Sequence, residues 1–337
     1  MQSFISYSIR MRFFPRRQTI EALILRQWFV SLSWAYMLVA LPASWLYRCA
    51  HGLHKCYQIN HCDKLPSAPK VCAVGNLIAG GVGKTPFVIH LCKQLTQVNL
   101  KVAIICRNLS SSPANHPICV ASHHTAVTVG DEARLIADQT DAIVVCSKKK
   151  YLAYQWVLRH KSVDVILIDD GLQHYRIPRH LEILLVDERL YGNQYCLPLG
   201  PLREPVSRQQ RVDYKLTREI DFTIQDDFSR LYNLKSQTII DPADRQCYNW
   251  CVLTAIANPA RFQQAISEWL RQPVTVYAYP DHADFSAVNW HELNQFQLIM
   301  TEKDAVKCPV DHDNIWVVPQ HVSIHKQTLN GIIGQLS

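Results

Sequence analysis

The stretch Gly75-Asn76-Leu77-Ile78-Ala79-Gly80-Gly81-Val82-Gly83-Lys84-Thr85-Pro86 decides more about this chain than any other. It follows the apolar run Val71-Cys72-Ala73-Val74 and precedes Phe87-Val88-Ile89-His90-Leu91, which can open a helix. A buried strand that turns through glycines into Lys-Thr at the head of a helix is a phosphate-binding arrangement. Glycines let backbone N–H groups approach phosphate oxygens, and the helix N-terminus adds partial positive charge. Gly80, Gly81, Val82 and Gly83 form the candidate cradle, Lys84 reaches the outer phosphates of a nucleotide, and the Thr85 hydroxyl can ligate Mg²⁺. The spacing is irregular: the usual pattern asks for a glycine where Ile78 stands.

Downstream of residue 71, short apolar runs alternate with helical patterns. Strands are expected at Val71–Val74, Val102–Cys106, Ala142–Cys146, Val163–Ile168 and Glu182–Val186, and helices at Thr85–Val98, Asp131–Gln139 and Lys148–His160. The strands are continuously apolar rather than alternating, which implies burial on both faces and a mostly parallel sheet flanked by helices. Ligands bind such sheets at the carboxyl ends of the strands, where Gly75, Arg107 and Asp169 fall. The fold class is therefore α/β, with a sheet like that of phosphate-loop nucleoside triphosphatases. A second alternation, with strands at Cys251–Ala255, Val274–Ala278, Leu298–Thr301 and Ile315–Val318 and helices at Pro259–Leu270 and Ala287–Gln295, reads as a smaller α/β domain. The expected organisation is an N-terminal segment over 1–66, a phosphate-loop domain over 67–215, a polar linker over 216–247 and the smaller domain over 248–337.

The amino terminus is different in kind. Arg10, Arg12, Arg16, Arg17 and Arg26 face one acid, Glu21, and Gln27–Tyr47 then carries no charge. That stretch is long enough to span a bilayer. Its serines, Pro42 and three tryptophans, Trp28, Trp34 and Trp45, suit the membrane–water interface better, so a monotopic helix on an anionic leaflet is favoured over a spanning or a buried one. A nucleotide-binding domain directly behind it argues against a secretory signal.

The net charge of +7 suits an anionic partner. Basic residues form no stripe outside the amino terminus, so nucleic acid is not expected. Twelve cysteines are scattered, several of them inside apolar runs, and read as small buried hydrophobes in a reducing compartment. The Cys49, His51, His54, Cys56, His61 and Cys62 group fits no common zinc spacing.

Other constellations carry polar chemistry. Val163–Ile168 ends in Asp169 and Asp170, placed to sit beside the metal held by Thr85, and Gln173 and His174 follow closely. Asp131 and Glu132 open a helix, where acids also serve as ordinary caps. In the Pro-rich loop 197–205, Arg203 can hold a phosphate or simply pair with a carboxylate such as Glu204. Tyr279-Pro280-Asp281-His282-Ala283-Asp284-Phe285 gathers His282 and two acids after a strand, and Thr301-Glu302-Lys303-Asp304 reads as a capped helix start.

These segments, taken in order, resemble the tetraacyldisaccharide 4′-kinase family. GNLIAGGVGKTP (75–86), VGDE (129–132), DDGLQHYRIPRHLEILLVD (169–187), LPLGPLREP (197–205), NPARF (258–262), YPDH (279–282) and TEKDAVKC (301–308) carry the resemblance. It implies transfer of the ATP γ-phosphate to the 4′-hydroxyl of an acylated glucosamine disaccharide 1-phosphate, giving the bisphosphate precursor of lipid A. It implies Mg²⁺, a membrane-associating N-terminal helix, work at the cytoplasmic face of the bacterial inner membrane, and no obligate protein partner. It matches Asp131 to the family's base and His282 to its histidine partner. Asp169 and Asp170 match carboxylates near metal and phosphate, with Lys84 and Asp170 among the catalytic positions. Glu132, Gln173, His174, Arg203 and Glu204 match further active-site positions, and the irregular glycine spacing is a family trait. There are four departures: Cys106-Arg107-Asn108-Leu109-Ser110 keeps only the arginine of the family's loop, Ala133 replaces a proline, Ala283 replaces a second histidine, and Ala255-Ile256-Ala257 stands where the family has a glycine-containing segment. The residues without the resemblance leave two other classes open: a phosphate-loop ATPase or GTPase acting as a metallochaperone or assembly factor, and a non-catalytic nucleotide sensor.

Overall fold

The computed structural model describes all residues except 1–23, 30–31, 109–115, 241–247, 257–258, 282, 284, 287 and 309–311. Contacts divide the chain into two units. One spans Gln225–His321; the other runs to Ile224 and resumes over Val322–Ser337.

The larger unit is built on a seven-stranded sheet. Its strands are β1 (Lys70–Gly75), β2 (Val102–Arg107), β3 (Ile118–Cys119), β4 (Ile143–Ser147), β5 (Val165–Asp169), β6 (Leu181–Val186) and β7 (Tyr214–Thr217), in the spatial order β3-β4-β2-β5-β1-β6-β7. Every pairing is parallel except β3 with β4. The continuous apolar runs are buried as expected: Val71, Ala73, Ile104, Val145, Ile166 and Leu167 are each sealed from solvent. Helix α2 (Lys84–Gln97) buries Phe87, Val88, Leu91 and Leu95. The short α3 (Ala126–Val129) leads into α4 (Asp131–Gln139), which feeds β4. Helix α5 (Lys150–His160) packs Ala153, Tyr154 and Val157 into a cluster with Val71, Ile105 and Ile168. A helix that feeds a parallel strand starts at the carboxyl edge of the sheet, so Asp131 stands at the same edge as Gly75 and Asp169.

The helix expected over Gln27–Tyr47 is placed differently. Residues 24–29 are helical, and a separate helix α1 then covers Trp34–Asn60. Ser33 starts it by accepting the Tyr36 N–H, while the Gln27 side chain takes the Ser33 N–H, so capping breaks the stretch in two. The helix then runs on through the charged and Cys/His-rich residues to Asn60. Among the described residues no helix is long and apolar enough to cross a membrane, and no group of three or more His, Cys, Asp or Glu is placed to hold a metal.

The smaller unit carries a five-stranded sheet. β10 (Trp250–Thr254), β11 (Thr275–Ala278), β12 (Gln297–Thr301) and β13 (Ile315–Val318) are parallel, and β9 (Tyr232–Asn233) closes the edge antiparallel to β13. Their spatial order is β11-β10-β12-β13-β9. Helix α6 (Pro259–Leu270) buries Phe262, Ile266 and Leu270. The helix expected over Ala287–Gln295 contracts to α7 (Trp290–Leu293), since Asn289 caps it by accepting from Glu292 N–H. A single turn, α8 (Glu302–Ala305), follows β12 directly. The stretch 216–247, read as a linker, contains β8 (Phe222–Asp226) and the sheet-edge strand β9. β8 pairs with β14 (Gln320–Ile324) in a two-stranded sheet. The final helix α9 (Lys326–Leu336) belongs to the larger unit, with Ile332 and Leu336 buried and Gln335 donating to the Tyr214 hydroxyl at 3.2 Å.

Candidate active site

The glycine-rich loop leaves β1 at Gly75 and enters α2 at Lys84. Two of its glycines are required by backbone geometry: Gly80 has φ 103° and Gly83, the residue before the helix, has φ 85°. Ile78, at the position where the usual pattern has glycine, is buried and forms a bridge with Leu202. The Ala79 N–H donates to Pro201 O at 2.7 Å and the Arg203 N–H to Leu77 O at 2.7 Å. The loop thus gains a short antiparallel partner from the Pro-rich segment 197–205, and a side chain at position 78 helps to hold it. Asn76, fully buried, donates to Ile78 O at 2.8 Å and accepts from Lys84 Nζ at 3.1 Å.

That same pairing delivers Arg203. Its Nη1 reaches both oxygens of Asp170 at 2.9 Å, and Lys84 Nζ lies 3.4 Å from Asp170 Oδ1. Burial works against the Asp170 carboxylate, but Lys84, Lys150 and Arg203 together pull its pKa far below the usual range. Asp170 adopts φ 51°, which turns the chain out of β5. Next to it, Asp169 accepts the Thr85 hydroxyl at 2.9 Å through Oδ2, while its buried Oδ1 has no hydrogen-bond partner. Burial raises the Asp169 pKa despite Lys150 and Lys84 nearby. A buried carboxylate oxygen with no donor, beside a threonine hydroxyl, is a donor set suited to a hard divalent cation.

Gln173 bridges the loops, donating to Asn76 O at 3.1 Å and to Glu204 Oε1 at 3.3 Å. Glu204 is fully engaged inside the protein. Its Oε2 takes Lys55 Nζ at 3.2 Å and the Tyr175 hydroxyl, and Arg208 lies 4.0 Å away. His174 is pushed down to about 3 by burial and by Lys150, so its ring is neutral near pH 7. Asp131 is buried and accepts the Glu132 N–H at 2.9 Å, and Glu132 is close enough to Lys150 to act on its charge. His282 lies outside the described residues, as do Leu109 and Ser110 of the altered loop after Arg107.

The structure therefore brings Lys84, Thr85, Asp169, Asp170, Gln173, Arg203 and Glu204 into one connected network, with Asp131 and Glu132 at the same sheet edge. Sequence reasoning missed Lys150. It is wholly enclosed and donates to the carbonyl oxygens of both Asp169 and Asp170, which anchors the turn out of β5. It is the last of three consecutive lysines, and only a helical register that starts at Lys150 shows which of them turns inward. Lys55 and Tyr175 were missed as well, because their partners lie far away in sequence, and so was Asn76, whose partners Ile78 and Lys84 are near in sequence but meet it only once the loop is folded.

Helix α1 is tied to this network by its inner face. Tyr36 Oη donates to Pro198 O at 2.6 Å, Ser44 Oγ to Cys196 O at 2.8 Å and Tyr47 Oη to Arg203 O at 3.0 Å. With Lys55, these residues recur at helical spacing, so the polar side of α1 holds the loop that positions Arg203. The opposite side is apolar and outward-facing: Trp34, Leu38, Val39, Trp45, Leu46 and Leu53 are all exposed.

The family model for tetraacyldisaccharide-1-P 4′-kinase (LpxK) matches residues 36–336. A Legionella pneumophila (strain Corby) tetraacyldisaccharide 4′-kinase is 36% identical over 295 residues, covering 85% of this chain and 90% of the relative. The Nitrosococcus oceani enzyme of the same description is 34% identical over 313 residues, covering 90% and 91%. A crystal structure of LpxK from Aquifex aeolicus, described as an "apo" form in complex with ATP, superposes with a TM-score of 0.72 at 25% identity, covering 88% of this chain and 98% of that one.

Proposed function

The chain belongs to the tetraacyldisaccharide-1-P 4′-kinase family, and on that basis we propose how its own residues divide the work of 4′-phosphorylation. The protein is an ATP-dependent kinase of lipid A biosynthesis. Its acceptor is the acylated disaccharide 1-phosphate, and the reaction moves the γ-phosphoryl group to the 4′-hydroxyl. The observation that carries the assignment of roles is the connected network of Lys84, Thr85, Asp169, Asp170 and Arg203 at the mouth of the glycine-rich loop.

In this reading Gly80 to Gly83 cradle the nucleotide phosphates through backbone N–H groups. Lys84 neutralises the outer phosphates, leaving Asn76 and Asp170 as the groups that aim its amine. Thr85, Asp169 and Asp170 would hold Mg²⁺, and the partnerless Asp169 Oδ1 is the observation that fits it. When bound, Mg²⁺ supplies charge neutralisation on the β- and γ-phosphate oxygens. Asp131 accepts the proton of the 4′-hydroxyl, and His282 enters by the family resemblance alone, as the histidine that orients a carboxylate. Arg203, held by Asp170, places a planar cation beside the transferring group. Gln173, His174, Glu132 and Glu204 shape the acceptor side. Glu204 does so from within, by fixing Lys55, Tyr175 and Gln173.

The acceptor's acyl chains lie in a leaflet, and α1 turns an apolar face outward while its polar face holds the catalytic loop. That inverted arrangement supports peripheral docking of α1 on the cytoplasmic face of the inner membrane.

The test is transfer of labelled phosphate from ATP in Mg²⁺ to the tetraacylated disaccharide 1-phosphate in detergent. The 1,4′-bisphosphate is the expected product. ATP hydrolysis with no labelled lipid would favour the assembly-factor class instead.

A further inference from the structure

The segment Asp187-Glu188-Arg189, just past the carboxyl end of β6, has no role in the kinase chemistry described so far, yet it touches the glycine-rich loop. Asp187 is buried. It accepts the Arg189 N–H through Oδ1 at 3.1 Å, and Nε and Nη2 of the Arg189 guanidinium through Oδ2 at 2.9 and 2.6 Å. Held in this way, Nη2 also donates to the carbonyl oxygen of Gly81 at 2.7 Å. The other guanidinium nitrogen, Nη1, passes over Gly80, where a Cβ would lie 3.1 Å from it.

In a trans peptide the C=O and the following N–H point in opposite directions. A donor that captures the Gly81 carbonyl therefore aims the Val82 N–H away from Arg189. The neighbouring carbonyls are captured in the same manner: Leu77 O by the Arg203 N–H, and Ile78 O by Asn76. Gly80 O takes Asn76 Nδ2 at 3.4 Å, which leaves the Gly81 carbonyl to Arg189.

We propose that Arg189 is a positioning residue for nucleotide binding: clamped by Asp187, it sets the Gly81–Val82 peptide so that the Val82 N–H faces the phosphates. The proposal rests on the reading of this loop as the ATP site. It accounts for the glycine at position 80, where both a positive φ and the close pass of the guanidinium disfavour a side chain. It also separates two kinds of substrate effect, because Arg189 acts on the nucleotide side of the site and not on the acceptor.

The experiment measures the ATP dissociation constant and both Michaelis constants for wild type, Arg189→Lys, and the Asp187→Asn/Arg189→Met pair. Lysine keeps a charge beside Asp187 but cannot fork between Asp187 and Gly81 O. The pair removes both charges together, so no buried carboxylate is left unpaired. ATP affinity is expected to fall about tenfold in each, the value of one charge-assisted hydrogen bond. The acceptor KM should stay within about twofold of wild type, and Tm should be unchanged for Arg189→Lys. Unchanged ATP affinity in both variants, a parallel rise in both Michaelis constants, or loss of folding in both would overturn the proposal and leave Asp187–Arg189 a structural ion pair. A wild-type protein that fails to bind ATP would instead remove the reading of the loop on which the proposal rests.

Discussion

Asp169 ends β5 in the larger unit, and Asp304 sits in α8 directly after β12 in the smaller one. Both are buried carboxylates at the carboxyl ends of parallel strands, and both belong to segments that carry the family resemblance. Their surroundings differ. Asp304 accepts the Thr254 hydroxyl at 2.8 Å, the Thr301 hydroxyl at 3.0 Å and the Ala255 N–H at 3.2 Å, and it pairs with the buried amine of Lys307 at 2.8 Å. Asp169 has one threonine donor, one oxygen with no partner, and a pKa raised by burial. A saturated carboxylate ties strand ends together, whereas an unsaturated one is held ready for a ligand at a cost in the unliganded fold. A distinctive motif is thus not by itself a catalytic one: the TEKDAVK segment is, in its geometry, a knot.

Three variants put that contrast at risk. The largest effect is expected from Lys84→Met, which removes the cation aimed by Asn76 and Asp170. Turnover should fall about 10³-fold with Tm close to wild type, and near-normal turnover would remove the larger unit's network from the chemistry. Asp131→Ala comes next, with an expected loss of about 10²-fold in kcat. A purified variant that turns over at wild-type rate on saturating substrate would reject Asp131 as the base.

The smallest effect concerns pH. The His174 pKa falls from 6.5 to about 3 in the fold, so between those values the unfolded chain binds more protons than the native one. Stability contributed by the neutral ring is present above about pH 6.5 and is lost as pH falls through that window. His174→Gln should therefore reduce the acid-induced loss of stability, by about 2–3 kcal/mol at pH 4.5, in urea melts compared with pH 7. An unchanged difference between the two pH values would show that the ring is not sealed beside Lys150.

Much of the sheet was legible because its strands are continuous apolar runs. The same holds for α4, whose acids mark its start, and for α6, whose apolar residues recur at helical spacing. The candidate residues around Asp169 were legible because strand ends in parallel sheets gather ligand-binding groups. What was not legible depends on contacts between distant segments. The bridge from Ile78 to Leu202 explains the irregular glycine spacing, and no local pattern announces it. The break at Ser33 rests on a side chain six residues back, Gln27. Residues Val322–Ser337 return to the larger unit because Ile332 and Leu336 find their core there, which a reading in chain order assigns to the neighbouring domain.

If Asp169 serves the chemistry and Asp304 serves the fold, their amide variants must fail in opposite ways. Asp169→Asn and Asp304→Asn are therefore to be compared side by side, with unfolding free energy and kcat recorded for each. Asp169→Asn should keep or gain stability while losing about 10²-fold or more in kcat. Asp304→Asn should lose about 3–5 kcal/mol by stranding Lys307 and keep wild-type turnover per folded molecule. Equal stability losses in the two variants, or a fully active Asp169→Asn, would contradict this division of labour.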